Sequence, residues 1–183
     1  MLTVTEESFL KELKECNIDF DNINKLLVEK LAKRNLKIAT AESCTGGLIS
    51  KKITEVSGSS AVFDCGVCSY SNNIKSKVLG VNENTLAVLG AVSAETAMQM
   101  ANGVRKLAES FVGVSTTGIA GPTGGTAEKP VGLVYIGLST AEKSFAVKAL
   151  FAGKNGLNNR ERVRELSANY AMYIAYKEIL SVK

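Results

Sequence analysis

Apolar residues along the chain fall into two kinds of spacing. Positions three and four apart, as at Leu27 and Leu31, predict helices, whereas short compact apolar runs such as LKIATA predict strands. From the start, TEESFLKELKEC reads as an amphipathic helix, NIDFDN as a turn, and Ile23 to about Arg34 as a second helix. The strand LKIATA then runs through the polar glycine turn Glu42-Ser43-Cys44-Thr45-Gly46-Gly47 into LISKKITEV, which has helical spacing. A strand at AVFDCGVCSY is followed by a helix from near Asn72, a short helix at ENTLAVLG and a long one from Ser93 to about Ser110. Ser93 suits the N-cap of that helix, and Glu95 suits its positive end. Next, FVGVSTT leads into the loop GIAGPTGG, and VGLVYIGLST and SFAVKALFA read as a β-hairpin with Glu142 and Lys143 near its turn. A last helix is expected from about Leu157 to Leu180.

Strands separated by helices need crossover connections, so the expected fold is α/β: a three-layer α/β/α sandwich on a mixed, mostly parallel sheet. Residues 1–22 are expected to form a helical N-terminal extension, and 23–183 the domain itself. A chain of 183 residues supports one well-buried core, and 45% hydrophobic with 22% charged residues is an ordinary globular composition.

The net charge of +4 is spread along the sequence rather than massed in a basic stripe, which disfavours nucleic acid as a partner. It suits a small anionic ligand such as a phosphomonoester, which one or two arginines can hold. The acidic start and the lack of any apolar run near the ~20 residues of a membrane span point to a cytoplasmic protein without membrane contact. Nothing in the pattern sets the oligomeric state, and a homo-oligomer is compatible with it.

The four cysteines read as reduced thiols. Cys65 and Cys68 form a CxxC, but odd spacing along a strand sends the two side chains to opposite faces, so a shared metal is not expected. The chain has no histidine, which excludes a Ser-His-Asp triad, a Cys-His pair and a histidine-ligated zinc site built from its own residues. Acid–base chemistry here must pass through Lys, Tyr, Asp, Glu or Cys.

Ligands of open α/β sheets bind at the carboxyl ends of strands, where both glycine-bearing turns lie. Two roles fit Ser43: a helix cap, or a nucleophile facing the unpaired N–H groups of Thr45, Gly46 and Gly47. The loop Gly118-Ile119-Ala120-Gly121 and onward to Gly125 is neither a dinucleotide fingerprint nor a Walker loop, and serves equally as an anion nest or a linker. Tyr70 ends a strand on the same rim as Ser43, and Lys75 follows in the first turns of a helix, where a solvated lysine is the ordinary expectation.

The segments ATAESCTGG, GSSAVFDCGVCSYSNNIKSKVLGV, LGAVSAETAMQMA and TTGIAGPTGGTAEKPVGLVYIGL resemble the CinA C-terminal domain family over roughly Ile23 to Leu180. The resemblance implies a three-layer fold and, for members with an assigned activity, nicotinamide-nucleotide amidohydrolysis in pyridine nucleotide salvage, with no cofactor and no metal. It implies the catalytic set Ser43, Tyr70 and Lys75, a substrate-lining loop from Gly118, and an arginine pair at Arg160 and Arg164, whose i,i+4 spacing shares a helix face. Lys75, neutral in the site, would then take the Ser43 proton directly or through Tyr70. Cys44 is a rival nucleophile beside Ser43. Glu42 would balance a substrate pyridinium charge or face solvent. The alternative class of function is a catalytically silent nucleotide-binding or regulatory module on the same fold.

Overall fold

A computed structural model describes residues 3–151 and 160–182. Strand β1 (Thr3–Thr5) leads directly into α1 (Glu6–Glu15), and a 3-10 turn at Phe20–Asn22 opens α2 (Ile23–Lys33). β2 (Ile38–Glu42), α3 (Leu48–Thr54), β3 (Phe63–Cys68), α4 (Asn72–Leu79), α5 (Glu83–Val88) and α6 (Ala94–Leu107) continue the alternation. β4 (Val112–Gly118) precedes the hairpin of β5 (Leu133–Ser139) and β6 (Ser144–Leu150), and α7 (Arg160–Ser181) closes the chain. The expected start of the last helix near Leu157 lies outside the described residues.

The six strands form one sheet in the order β1-β6-β5-β4-β2-β3. The β2–β3, β2–β4 and β1–β6 pairs are parallel, while β4–β5 and β5–β6 are antiparallel. The fold is thus the expected α/β sandwich, with α2, α3 and α7 on one face and α4, α5 and α6 on the other. Among the described residues no helix is long and apolar enough to cross a membrane.

β2 is buried along its whole length because both faces are covered. Ala39 and Ala41 pack toward α6, while Ile38, Thr40 and Glu42 take the face of α3 and α7. Small residues let α6 lie close on the sheet. A Cβ at Gly113 or Gly137 would collide with the carbonyls of Ala101 and Ala97.

The residues ahead of Ile23 enter both the sheet and the core. Thr5 caps α1 in a reciprocal bond pair with Ser8, and the i,i+4 pair Phe9 and Leu13 turns inward. The Phe9 ring meets Tyr170 edge-on at 4.9 Å and Tyr173 at 5.6 Å, so α1 packs on the middle of α7. Thr3, Val4 and Thr5 pair with Lys148, Ala149 and Leu150 of β6, adding a parallel edge strand that the sequence pattern did not indicate.

Candidate active site

Parallel β2, β3 and β4 end on the same rim of the sheet, and the turns that leave them build the site. Ser43 follows β2 directly; its N–H donates to Thr116 O at 3.0 Å, and the residue is 9% exposed. The chain then reverses through Gly46 (φ 58°) and Gly47 (φ 92°), left-handed positions that favour glycine, before α3 begins.

Ser43 does not cap α3. The α3 cap residue, Gly47, offers no side chain, and the carboxylate of Glu42 takes the task from beneath the turn. Glu42 Oε2 accepts from Ile49 N at 3.0 Å, and Oε1 accepts from Ser50 N at 2.9 Å and from the Ser50 hydroxyl at 2.7 Å. Glu42 is fully buried, so it neither faces solvent nor lines the cavity as a substrate contact.

Lys75 departs from the solvated position that its place on a helix alone suggests. Ser71 caps α4 by accepting from Ile74 N, which places Lys75 on the inner face one turn into the helix. The residue is 1% exposed rather than solvated. Nζ lies 3.0 Å from Ser43 Oγ and donates to Ser69 O at 2.7 Å and to Tyr70 O at 3.3 Å. Burial pushes the Lys75 pKa below that of an ordinary lysine, while the Cys44 thiol works weakly in the opposite sense. As an ammonium, Nζ donates to Ser43 Oγ as well as to both carbonyls; once deprotonated, its two N–H bonds would stay on the carbonyls and leave the lone pair for the Ser43 hydroxyl.

A cavity of about 270 Å³ opens over this pair. Of the residues expected from the sequence, Ser43, Cys44, Tyr70, Lys75, Arg160 and the loop Gly118, Ile119, Ala120, Gly121 line it. Sequence reasoning missed Ala91 and Val92, just ahead of α6, together with Thr117 at the end of β4. The only signal for Ala91 and Val92 was their place in LGAVSAE, to which no role was attached. Thr123 and Gly124 extend the glycine loop along the wall.

The hydroxyl of Tyr70 faces Arg160. The residue is 70% exposed and its Oη accepts from Arg160 at 3.4 Å; only its main-chain oxygen touches Lys75. Thr45, Gly46 and Gly47 are not among the residues that line the cavity. Thr45 is buried instead, with its hydroxyl 2.7 Å from that of Thr116 and its carbonyl turned toward α7. Arg164 spends its guanidinium on that carbonyl, with Nε and Nη2 donating at 3.2 and 2.6 Å, and stays behind the turn. Arg160 does reach the cavity, where it also donates to Gly121 O at 2.9 Å.

Cys44 lines the cavity but is buried, and burial, more than the nearby carboxylate of Glu42, pushes its thiol up to about 12. Alternation along β3 separates the two thiols of the CxxC: Cys65 packs toward α6, and Cys68 lies on the opposite face beside Gly47. Among the described residues no group of three or more Cys, Asp or Glu is placed to hold a metal ion.

Comparison with known proteins agrees with this architecture. The sequence profile of the CinA C-terminal domain matches residues 20–179. The chain belongs to the CinA C-terminal domain family. A protein of Caldanaerobacter subterraneus subsp. tengcongensis named as a competence-damage inducible protein is 53% identical over 154 residues, 84% of this chain and 36% of its own length. The chain spans about two fifths of the curated CinA relatives it matches, from 36% to 43% of their lengths. The crystal structure of the competence/damage inducible protein CihA from Agrobacterium tumefaciens superposes with a TM-score of 0.79 at 38% identity, covering 85% of this chain and 92% of that one. The competence damage-inducible protein A from Klebsiella pneumoniae subsp. pneumoniae gives 0.83 at 28% identity, covering 90% and 99%.

Proposed function

We propose that the chain is a nicotinamide-nucleotide amidohydrolase, converting nicotinamide mononucleotide and water to nicotinate mononucleotide and ammonia. The observation that carries the reading is the buried amine of Lys75 set 3.0 Å from Ser43 Oγ at the floor of an open cavity. Desolvating an amine is costly, and a module that only binds nucleotide has no use for that cost at a serine hydroxyl.

Lys75 takes the Ser43 proton as Oγ bonds to the carboxamide carbon, and no tyrosine relay is needed at this distance. The oxyanion needs N–H donors from the cavity wall, and the Ile119 amide is not one of them because it is given to Leu133 O. Protonated Lys75 returns its proton to the leaving nitrogen, and ammonia departs, leaving an ester on Ser43. Water attacks that ester with Lys75 again as base, which releases the carboxylate and restores the hydroxyl. Arg160 at the rim supplies the charge for the phosphate, and the exposed Tyr70 ring at the mouth offers an aromatic face to the pyridinium.

The test is ammonia release from nicotinamide mononucleotide by the purified protein after exhaustive treatment with EDTA. Release matched by nicotinate mononucleotide supports the reading. Absence of both products overturns it, as does a rate restored only by an added divalent ion.

A further inference from the structure

The side chain and main chain of Glu42 reach the two halves of the site separately. Its carboxylate bridges the turn that carries Ser43, accepting three hydrogen bonds from Ile49 and Ser50 between 2.7 and 3.0 Å. Thr40 Oγ1 lies 2.8 Å from Ser50 Oγ; because the Ser50 proton is given to Glu42, Thr40 is the donor there, and the part-buried chain Thr40–Ser50–Glu42 has one direction. The main-chain oxygen of the same glutamate accepts from Ser69 N at 2.8 Å, and Ser69 O is the nearer of the two carbonyls that hold Lys75 Nζ. One residue thus fixes the floor under the nucleophile and the carbonyl that aims the base.

We infer that Glu42 is a positioning residue for the Ser43–Lys75 pair: its buried carboxylate clamps α3 so that the Ser43 hydroxyl stays in line with the lone pair of Lys75. The inference rests on the reading of Ser43 and Lys75 as nucleophile and base. It assigns Glu42 no contact with substrate, which agrees with its full burial away from the cavity. Glutamine has the same shape, but its amide NH2 must face either the Ile49 N–H or the two Ser50 donors, so one side of the clamp opens. Misplacement of a nucleophile by less than an ångström slows bond formation while leaving the walls that bind substrate in place.

The test is the rate at which a fluorophosphonate probe labels Ser43, followed by mass spectrometry of the intact protein and of its peptides. In this reaction the Oγ–P bond forms, the P–F bond breaks, and the hydroxyl proton passes to Lys75, so nucleophile and base are read without the nucleotide substrate. Glu42→Gln should label at least about tenfold more slowly than wild type, and with nicotinamide mononucleotide its kcat should fall by a similar factor at a KM within about twofold of wild type. Ser50→Ala removes one of the three donors from an α3 position that tolerates alanine, and should slow labelling about threefold or more. Wild-type labelling rates in folded Glu42→Gln or in Ser50→Ala overturn the positioning role while leaving the Ser–Lys reading intact. A wild-type protein that is not labelled at Ser43 overturns both. Labelling without ammonia release from the nucleotide rejects the substrate and keeps the clamp.

Discussion

Arg160 and Arg164 leave the same face of α7 one turn apart, yet Arg160 reaches the cavity loop at Gly121 O and Arg164 clamps Thr45 O behind the nucleophile turn. On the proposed reading the pair divides into a binding and a structural arginine. Arg160→Ala should raise KM for the mononucleotide about tenfold with little change in kcat, the loss expected of one charge-assisted contact to phosphate. Arg164→Ala should lower kcat and thermal stability together, because it frees a buried turn. Steady-state kinetics and melting curves on the two variants check the division, and equal KM effects would contradict it.

The nucleophile is tested by Ser43→Ala. The variant should lose ammonia release altogether and still bind the nucleotide, since the hydroxyl is needed for bond making more than for recognition. Calorimetric titration of the inactive variant measures the second half of that statement.

Cys44 shares the cavity with Ser43, but its thiol, pushed up to about 12 by burial, carries almost no thiolate at neutral pH. Cys44→Ala should retain activity within a few-fold, and Cys44 should resist iodoacetamide at pH 8, where the exposed Cys16 reacts. Rapid alkylation of Cys44, mapped by peptide mass spectrometry, would contradict its protonated state.

The order of elements was legible in the sequence because apolar spacing and turn residues determine it locally. The strands at LKIATA and FVGVSTT and the helix from Ser93 lie within a few residues of their expected bounds. What local pattern does not carry is which face a polar side chain turns to. Thr40 and Glu42 look like the polar side of a half-exposed strand, yet α3 covers that side and buries them. Lys75 has the helical position of a solvated lysine and is buried because α4 lies against the end of β3. β1 is three residues long and pairs with residues more than a hundred positions away, so no window of sequence contains its reason.

The aromatic contact of α1 with α7 gives a stability prediction independent of the chemistry. Phe9 is fully buried against Tyr170 and Tyr173, and Phe9→Ala should cost about 3–5 kcal/mol in urea unfolding. A loss under about 1 kcal/mol would show that α1 contributes little to the core, since that is about the worth of one buried methylene.

On the proposed reading Lys75 is the residue on which the chemistry turns, and its role as base sets the sign of the pH dependence. Only the neutral amine accepts the Ser43 proton, so kcat/KM should fall as pH drops through the Lys75 pKa, which lies below the ~10.4 of a free lysine. The most direct measurement is kcat/KM for ammonia release by Lys75→Arg beside wild type and Lys75→Ala. A guanidinium keeps the positive charge but holds its proton at any relevant pH. Base catalysis therefore predicts that the arginine variant is nearly as inactive as the alanine variant; an arginine variant close to wild type would contradict it.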